Sequence, residues 1–167
     1  REKDKPEWLS HLEAYYDNCP NHSSEYTLQE YRRVFGSNMD DTYLTENIIG
    51  SGSVGQVYLL EHKLTGDKCV MKILHPNVRD TVKFFRRFMK LILYLPCIQK
   101  IRNQYFPFDI FKFIDQFEEQ TNLIYETNNI LHFQKEYSNN EFIVIPQPIK
   151  ISETILIMSY EPGISFD

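Results

Sequence analysis

The chain has few cysteines and no excess of positive charge. Its three cysteines, Cys19, Cys69 and Cys97, are an odd number and form no C-x-x-C pair. This indicates a reducing compartment and argues against both a disulfide framework and a structural zinc site. The formal net charge of −5 argues against broad affinity for nucleic acid, so no nucleic-acid partner is expected.

The chain also lacks a long apolar run. None reaches the roughly 18 to 20 residues that a membrane span needs, and the longest candidate, residues 91–98, contains Pro96. Residues 1–7 are mostly charged, unlike a signal peptide. The chain begins with arginine, so we expect that its N-terminus has been cut, which leaves room for a targeting segment upstream. Its 167 residues suffice for one globular domain with a core.

The most informative segment is glycine-rich: Gly50-Ser51-Gly52-Ser53-Val54-Gly55-Gln56-Val57, followed by Val70-Met71-Lys72. A phosphate-binding loop needs glycines because its backbone must approach the nucleotide phosphates closely. A lone G-x-G-x-x-G pattern is weak, but here a valine and a V-x-K segment follow at the spacing of kinases. The pattern therefore predicts the phosphate loop of a protein-kinase-like fold, in which Lys72 reaches the α- and β-phosphates from the third strand.

Hydrophobic periodicity predicts the elements around this loop. Helices are predicted over 6–16, 27–35, 78–95 and about 109–137, and strands over 43–49, 56–62, 68–74, 142–149 and 154–160. The second helix would begin with a capping box at Thr27 and stop at Gly36. Pro146 and Pro148 place the strand over 142–149 at a sheet edge.

A kinase-type lysine is held by a carboxylate on a neighbouring helix. No glutamate occurs between residues 62 and 117, and the first candidates after Lys72 are Glu118, Glu119 and Glu126. A helical insert must therefore separate the lysine strand from the glutamate helix. Apolar residues flank Lys72, so it lies in a buried strand and needs a partner. Glu126 is the favoured partner, and the other two glutamates are the alternatives.

The catalytic loop of a kinase is missing from the chain. No H-x-D-x-x-x-x-N segment and no D-F-G triplet occur anywhere in it. The base and the metal ligands of phosphoryl transfer are therefore not on this chain. The sequence is typical of the small lobe of a larger enzyme.

Several segments resemble the UbiB-type atypical kinases, also called aarF-domain-containing kinases, and together they cover most of the chain. Ser53-Val54-Gly55-Gln56-Val57 is similar to the family's S-I-G-Q-V loop core. Residues 70–76 are similar to its V-A-V-K-V-x-H-P segment, and residues 122–129 to its D-x-x-x-E-A-x-N helix. Residues 9–20 resemble its N-terminal extension, and residues 155–163 resemble its hinge strand.

Three features depart from the family pattern. The family has an alanine-rich loop where this chain has Gly50, Ser51 and Gly52. Its Glu-x-Asp triplet would fall on Gln120-Thr121-Asn122, where both acids are amides, and its K-x-G-Q motif is absent. The two missing carboxylates weaken any transfer of the family's metal-dependent regulation, but they need not prevent nucleotide binding.

The resemblance implies an α+β fold: a protein-kinase-like small lobe with an antiparallel sheet. A helical N-terminal extension would span residues 1–40 and the lobe residues 41–167, with a helical insert before the glutamate helix. Lys72 and Glu126 would form the catalytic ion pair. ATP or ADP would be the cofactor, with Mg²⁺ ligands outside this chain. The nucleotide would contact Gly50, Ser51, Gly52, Ser53, Val54, Gly55, Val57, Lys72, Met158, Ser159, Tyr160 and Glu161.

The resemblance further implies that the full-length protein is an atypical kinase or ATPase. It would support isoprenoid-quinone (coenzyme Q) or related lipid metabolism and would be mitochondrial. Two alternatives stay open. The glycine loop also fits a conventional protein kinase, although the missing early glutamate and His75-Pro76 argue against it. The amides at 120 and 122 and the missing catalytic loop fit a catalytically inactive pseudokinase scaffold.

The predicted helix over 78–95 has a basic stripe beside an aromatic one. Such a stripe is usually a solvated face, but a basic, aromatic-rich amphipathic helix also suits an anionic surface. The pattern therefore offers a membrane surface or a lipid-metabolism enzyme as a partner. His75, at a strand end before proline, is expected to be structural rather than catalytic.

Overall fold

A computed structural model describes residues 21–93 and 110–163, which form an α+β fold, as predicted. The elements in chain order are α1 (Ser24–Phe35), a 3₁₀ turn (Met39–Asp41), β1 (Tyr43–Ser51), β2 (Gly55–His62), β3 (Lys68–Leu74), α2 (Val78–Leu93), α3 (Ile110–Glu119), α4 (Leu123–Glu136), β4 (Pro148–Ile151) and β5 (Ile155–Ser159). The strands form one antiparallel sheet in the order β1-β2-β3-β5-β4. α2 and α3 are the predicted helical insert between the lysine strand and the glutamate helix.

The first described helix begins three residues before the predicted capping box. Ser23 is its N-cap and accepts a hydrogen bond from the backbone N–H of Tyr26. Thr27 cannot cap the helix because its side chain is buried against the sheet, where its hydroxyl bonds to that of Tyr58 at 2.8 Å. Gly36 ends α1 as predicted, with the left-handed φ of 70° that glycine adopts without strain.

Two other predicted elements are corrected by the structure. The helical pattern over 109–137 is interrupted at residues 120–122, because Asn122 accepts a hydrogen bond from the N–H of Ile124 and begins a new helix. The strand predicted over 142–149 is wrong for most of its length, since β4 begins only at Pro148 and Phe142 is 96% exposed. β4 is nevertheless an edge strand, as predicted. The predicted helix over 6–16 and the end of the one over 78–95 lie outside the described residues.

One face of the sheet packs on α1. Alternate residues of β3 point to this face, and they join a buried cluster of Tyr31, Met39, Tyr43, Tyr58, Leu60, Cys69, Met71, Ile73, Ile155 and Ile157. The ammonium group of Lys150 lies 5.4 Å from the ring centroid of Tyr31 and donates a hydrogen bond to its hydroxyl at 2.8 Å. Burial raises the pKa of the Cys69 thiol to about 11, so it stays protonated within this core.

The opposite face packs on α4. Leu74 and Leu156 of the sheet contact Leu123, the first residue of α4, in a second cluster that includes Val54. The N–H of Leu123 also donates to the carbonyl of Glu153, in the turn between β4 and β5, at 3.0 Å. The start of α4 is therefore fixed to the sheet by burial and by a main-chain hydrogen bond.

The insert helices are joined by ion pairs. Arg86 of α2 contacts Asp115 at 2.7 Å and Glu118 at 2.5 Å, both on α3. Arg79 contacts Glu153 at 2.6 Å, and this guanidinium holds the pKa of the Glu153 carboxyl below its usual value. Within the described ranges, 21–93 and 110–163, no helix is both long and apolar enough to cross a membrane.

The packing of α1 on the sheet gives a stability prediction. Tyr31 is fully buried, so we expect Tyr31→Ala to lower the free energy of unfolding by about 3 to 5 kcal/mol, as large core truncations do. The matched control is Tyr125→Ala, at a side chain 55% exposed, which should change it by no more than about 0.5 kcal/mol. Denaturant unfolding of the full-length protein checks both. If the two substitutions lowered the free energy of unfolding equally, α1 would not be part of this core.

Candidate functional site

The lysine and glutamate singled out in the sequence meet in the structure. Lys72 lies in the middle of β3, paired in register with Val57 of β2 and Leu156 of β5. Its Nζ donates a hydrogen bond to Oε2 of Glu126 at 2.6 Å. The two side chains are 27% and 34% exposed, so the pair is sheltered but open to a ligand.

The first turn of α4 positions the carboxylate. Leu123 is fully buried against the sheet, and Glu126 follows it by three residues, so both lie on the same side of the helix. The hydroxyl of Thr127 donates to the carbonyl of Leu123 inside this interface. Of the alternative glutamates, Glu118 pairs with Arg86 and Glu119 is exposed, and the structure brings neither to Lys72.

The glycine loop connects β1 to β2 by a tight turn. The N–H of Gly52 donates to the carbonyl of Gly55 at 3.0 Å. A Cβ atom placed on Gly50 or Gly52 would meet no heavy atom within 4 Å, so the chain leaves open space beside these residues. A Cβ on Gly55 would lie 2.4 Å from the carbonyl oxygen of Ile73. Gly55 is thus required by the close approach of β2 to β3.

The remaining loop residues have different environments. Ser51 ends β1, and its buried hydroxyl has no hydrogen-bond partner among the described residues. Ser53 is exposed at the turn, whereas Val54 is buried against Leu74. Val57 is partly buried on the same sheet face as Lys72, because directly paired residues of antiparallel strands share a face.

The predicted hinge residues lie at the end of β5. Met158 and Ser159 close the strand, and Tyr160 and Glu161 follow it and are exposed. The N–H of Ser159 donates to Gln147 and that of Tyr160 to Lys68, both to carbonyls. The Ser159 hydroxyl donates to the Glu161 carboxylate at 2.7 Å.

Sequence reasoning missed a polar contact that reaches the glycine loop. Nε2 of His75 lies 2.9 Å from the carbonyl oxygen of Gly52, and Nδ1 of His75 lies 2.8 Å from Nδ1 of His22. His75 was identified only as a structural strand end. No local pattern marks His22, since 53 residues separate it from its partner.

The segment that replaces the family's Glu-x-Asp triplet lines a polar groove of about 390 Å³. Thr121 is buried there and donates its hydroxyl to the carbonyl of Glu118, while Asn122 caps α4. Arg79, Lys83 and Arg86 of α2 also line the groove. Arg79 and Arg86 already form ion pairs, with Glu153 and with Asp115 and Glu118 respectively. The described residues contain no cluster of three or more histidine, cysteine or acidic side chains that could hold a metal ion.

Comparisons with known proteins agree on the family. The family model described as the ABC1 atypical kinase-like domain matches residues 14–167. The chain is 30% identical over 158 residues to the probable serine/threonine-protein kinase abkC of Dictyostelium discoideum, covering 89% of this chain and 22% of that protein. It is 22% identical over 123 residues to the probable protein kinase UbiB of Serratia proteamaculans, covering 71% of this chain and 23% of that protein.

A solved structure shares the fold. Rv3197 of Mycobacterium tuberculosis, determined in complex with erythromycin, matches with a TM-score of 0.62 and 18% identity over 87% of this chain and 37% of that one. The chain spans less than a quarter of the length of the two curated relatives. The family model covers the glycine loop, Lys72 and Glu126, so the resemblance found in the sequence is confirmed. This chain belongs to the ABC1, or UbiB-type, atypical kinase-like family.

Proposed function

We propose that this chain is the nucleotide-binding small lobe of an atypical kinase or ATPase, and that it binds ATP or ADP with Mg²⁺. One observation carries the proposal. The Lys72–Glu126 ion pair, at 2.6 Å, occurs in a chain whose glycine loop leaves open space beside Gly50 and Gly52. A cation held by a carboxylate and a loop with room for a ligand are the two parts that hold nucleotide phosphates in kinases.

The lysine has donors left for a ligand. A lysine ammonium carries three N–H groups, and one of them donates to Glu126. The side chain is about a quarter exposed, so the other donors can reach anionic phosphate oxygens. Glu126 holds the ammonium in place through this contact.

An apolar surface for the adenine ring lies on the same face. Val70 lies two residues before Lys72 in β3, so the two side chains share a face of the sheet. Val57 pairs with Lys72 and Met158 pairs with Val70, so they lie on this face as well. At the hinge, the N–H groups of Ser159 and Tyr160 already donate to the carbonyls of Gln147 and Lys68. That of Glu161 has no partner among the described residues, and we assign it to the adenine edge.

The catalytic base and the Mg²⁺ ligands are assigned to a part of the full-length protein outside this chain, in agreement with the longer relatives. Mg²⁺ would neutralise charge that develops on the phosphates. By family likeness, we further propose that the whole protein supports isoprenoid-quinone (coenzyme Q) or related lipid metabolism in mitochondria. ATP turnover by the full-length protein separates this enzyme from an inactive pseudokinase scaffold.

One face of α2 suits a lipid surface or a lipid-metabolism enzyme as partner. Phe84 and Phe88 stack with ring centroids 6.3 Å apart and are 69% and 45% exposed. Leu91, 70% exposed, extends this stripe, and the nearby Arg87 is exposed as well. Exposed rings beside cations are the composition of helices that lie on anionic membranes. Flotation with anionic vesicles, comparing the wild type with Phe84→Ser/Phe88→Ser, tests this partner.

Loss of the lysine should weaken nucleotide binding. We expect Lys72→Ala to raise the Kd for Mg-ATP roughly 10- to 100-fold, because charge-assisted hydrogen bonds to phosphate are lost. Isothermal titration calorimetry of the full-length protein measures the Kd. The matched control is Lys135→Ala, which removes an exposed lysine of α4 and should leave the Kd unchanged. Equal Kd values for Lys72→Ala and the wild type would contradict the proposal.

The two kinds of glycine in the loop should respond differently to alanine. Gly55→Ala should lower the free energy of unfolding by about 1 to 3 kcal/mol, because its methyl group collides with the backbone of β3. Gly52→Ala should leave stability within about 0.5 kcal/mol of the wild type, since its methyl group meets no protein atom.

Gly52→Ala should nevertheless weaken ATP binding, because the methyl group narrows the space beside the loop. Thermal unfolding without nucleotide and calorimetric titration with Mg-ATP separate the two effects. A Gly52→Ala protein that binds ATP as tightly as the wild type would show that the phosphates do not approach this residue.

A further inference from the structure

A chain of polar contacts runs from the interior of the α1 interface to the tip of the glycine loop. In the interior, the Gln56 side-chain amide donates to the Tyr58 hydroxyl at 2.7 Å, and that hydroxyl lies 2.8 Å from the hydroxyl of Thr27. These three side chains are at most 4% exposed. Nε2 of His22 lies 3.0 Å from the Thr27 hydroxyl. The His22–His75 and His75–Gly52 contacts described above continue the chain to the loop.

With both rings neutral, the chemistry of these groups gives one consistent direction for the hydrogen bonds between Thr27 and Gly52. A carbonyl oxygen only accepts, so His75 must carry its proton on Nε2 to bond Gly52. In the neutral ring Nδ1 of His75 is then an acceptor, and Nδ1–H of His22 is the donor. Nε2 of His22 accepts in turn from the Thr27 hydroxyl at 3.0 Å, a shorter contact than the 3.5 Å between that hydroxyl and the carbonyl of Ser23. One set of protons therefore satisfies the contacts that link Thr27, His22, His75 and Gly52.

We propose that His75 is a positioning residue of the glycine loop, and that His22 holds it in the tautomer that bonds the Gly52 carbonyl. The inference rests on the proposed function of this loop in nucleotide binding. It assigns no proton transfer to either histidine. The role is to fix the direction of one peptide group at the turn where the phosphates are expected.

The surroundings of His22 favour its neutral form. Burial, and next the proximity of His75, lower the pKa of His22 from 6.5 to about 4. The titratable groups that face His22 are Tyr26 of α1, Tyr58 of β2 and His75. Among the described residues, neither imidazole ring contacts a carboxylate. His22 is therefore neutral at neutral pH, as the tautomer assigned to it above requires.

His75 forms two hydrogen bonds with the glycine loop. Its backbone N–H donates to the carbonyl of Val54 at 2.9 Å, and its ring donates to that of Gly52. The backbone contact does not depend on the side chain, so substitution tests the ring alone. His22 is further held by its own backbone N–H, which donates to the Gln56 side-chain carbonyl at 3.0 Å. The segment before α1 thereby supports the loop through the ring of His75.

The test replaces His75 with glutamine or asparagine, whose side-chain amides place an N–H donor at different distances from the backbone. The side-chain nitrogen of glutamine stands near the position of Nε2 of histidine, whereas that of asparagine stands near the position of Nδ1. We expect His75→Gln to keep the bond to Gly52 and His75→Asn to lose it. In the full-length protein without nucleotide, amide hydrogen exchange over residues 51–55 should rise roughly fivefold in His75→Asn. It should stay near the wild-type rate in His75→Gln.

The second histidine is tested in the same way. His22→Asn retains a donor near Nδ1 and should preserve the exchange rate of the loop. His22→Ala removes the donor that selects the His75 tautomer and should raise exchange by about twofold. The control is His132→Asn, at an exposed histidine of α4 that should change nothing. Thermal unfolding of each variant identifies any general loss of structure.

Nucleotide affinity completes the test. The Kd for Mg-ATP should rise roughly fivefold in His75→Asn and return close to the wild-type value in His75→Gln. Equal loop exchange in the two His75 variants would overturn the proposal. If the wild type binds no Mg-ATP, the proposed function fails, and the exchange measurement on the nucleotide-free protein still decides whether His75 positions the loop.

Discussion

The third strand is covered on both faces, and this constraint determines where the lysine and its carboxylate meet. Residues of β3 alternate between the α1 side and the α4 side, so Lys72 can point only toward α4 once Met71 and Ile73 are buried against α1. A shift of register by one residue would bury the ammonium group beneath α1 and turn Met71 and Ile73 toward the α4 side. The ion pair therefore follows from the packing of the sheet.

The site is assembled from parts that are far apart in the chain. The glycine loop belongs to the β1–β2 hairpin, whereas Glu126 arrives only after the insert helices α2 and α3. Glu126 reaches Lys72 despite the insert. The contacts of Leu123 with the sheet position the start of α4, whatever the helices before it. The departure from the usual position of the glutamate is thus tolerated by local anchoring.

Much of this architecture was predictable because its signals are local. β3 has the predicted bounds, since a turn at Gly66 and a proline at 76 delimit it. The start of α1 was missed because both Ser23 and Thr27 have hydroxyl side chains that can cap a helix. Thr27 is not the N-cap because its hydroxyl bonds to Tyr58, which is distant in the sequence. The apolar run after Phe142 has the composition of a strand but is largely exposed, and composition alone does not provide a pairing partner. The His22–His75 contact has no signal in the order of residues.

Glu153 joins three elements through two different kinds of contact. Its carboxylate contacts Arg79 of α2, whereas its carbonyl accepts the N–H of the first residue of α4. Evolution can exchange the first contact by changing one side chain, but every amino acid at this position offers the second. A side-chain substitution at position 153 would therefore remove the attachment of the insert to the β4–β5 turn, but it would keep the hydrogen bond that positions the start of α4 and with it Glu126.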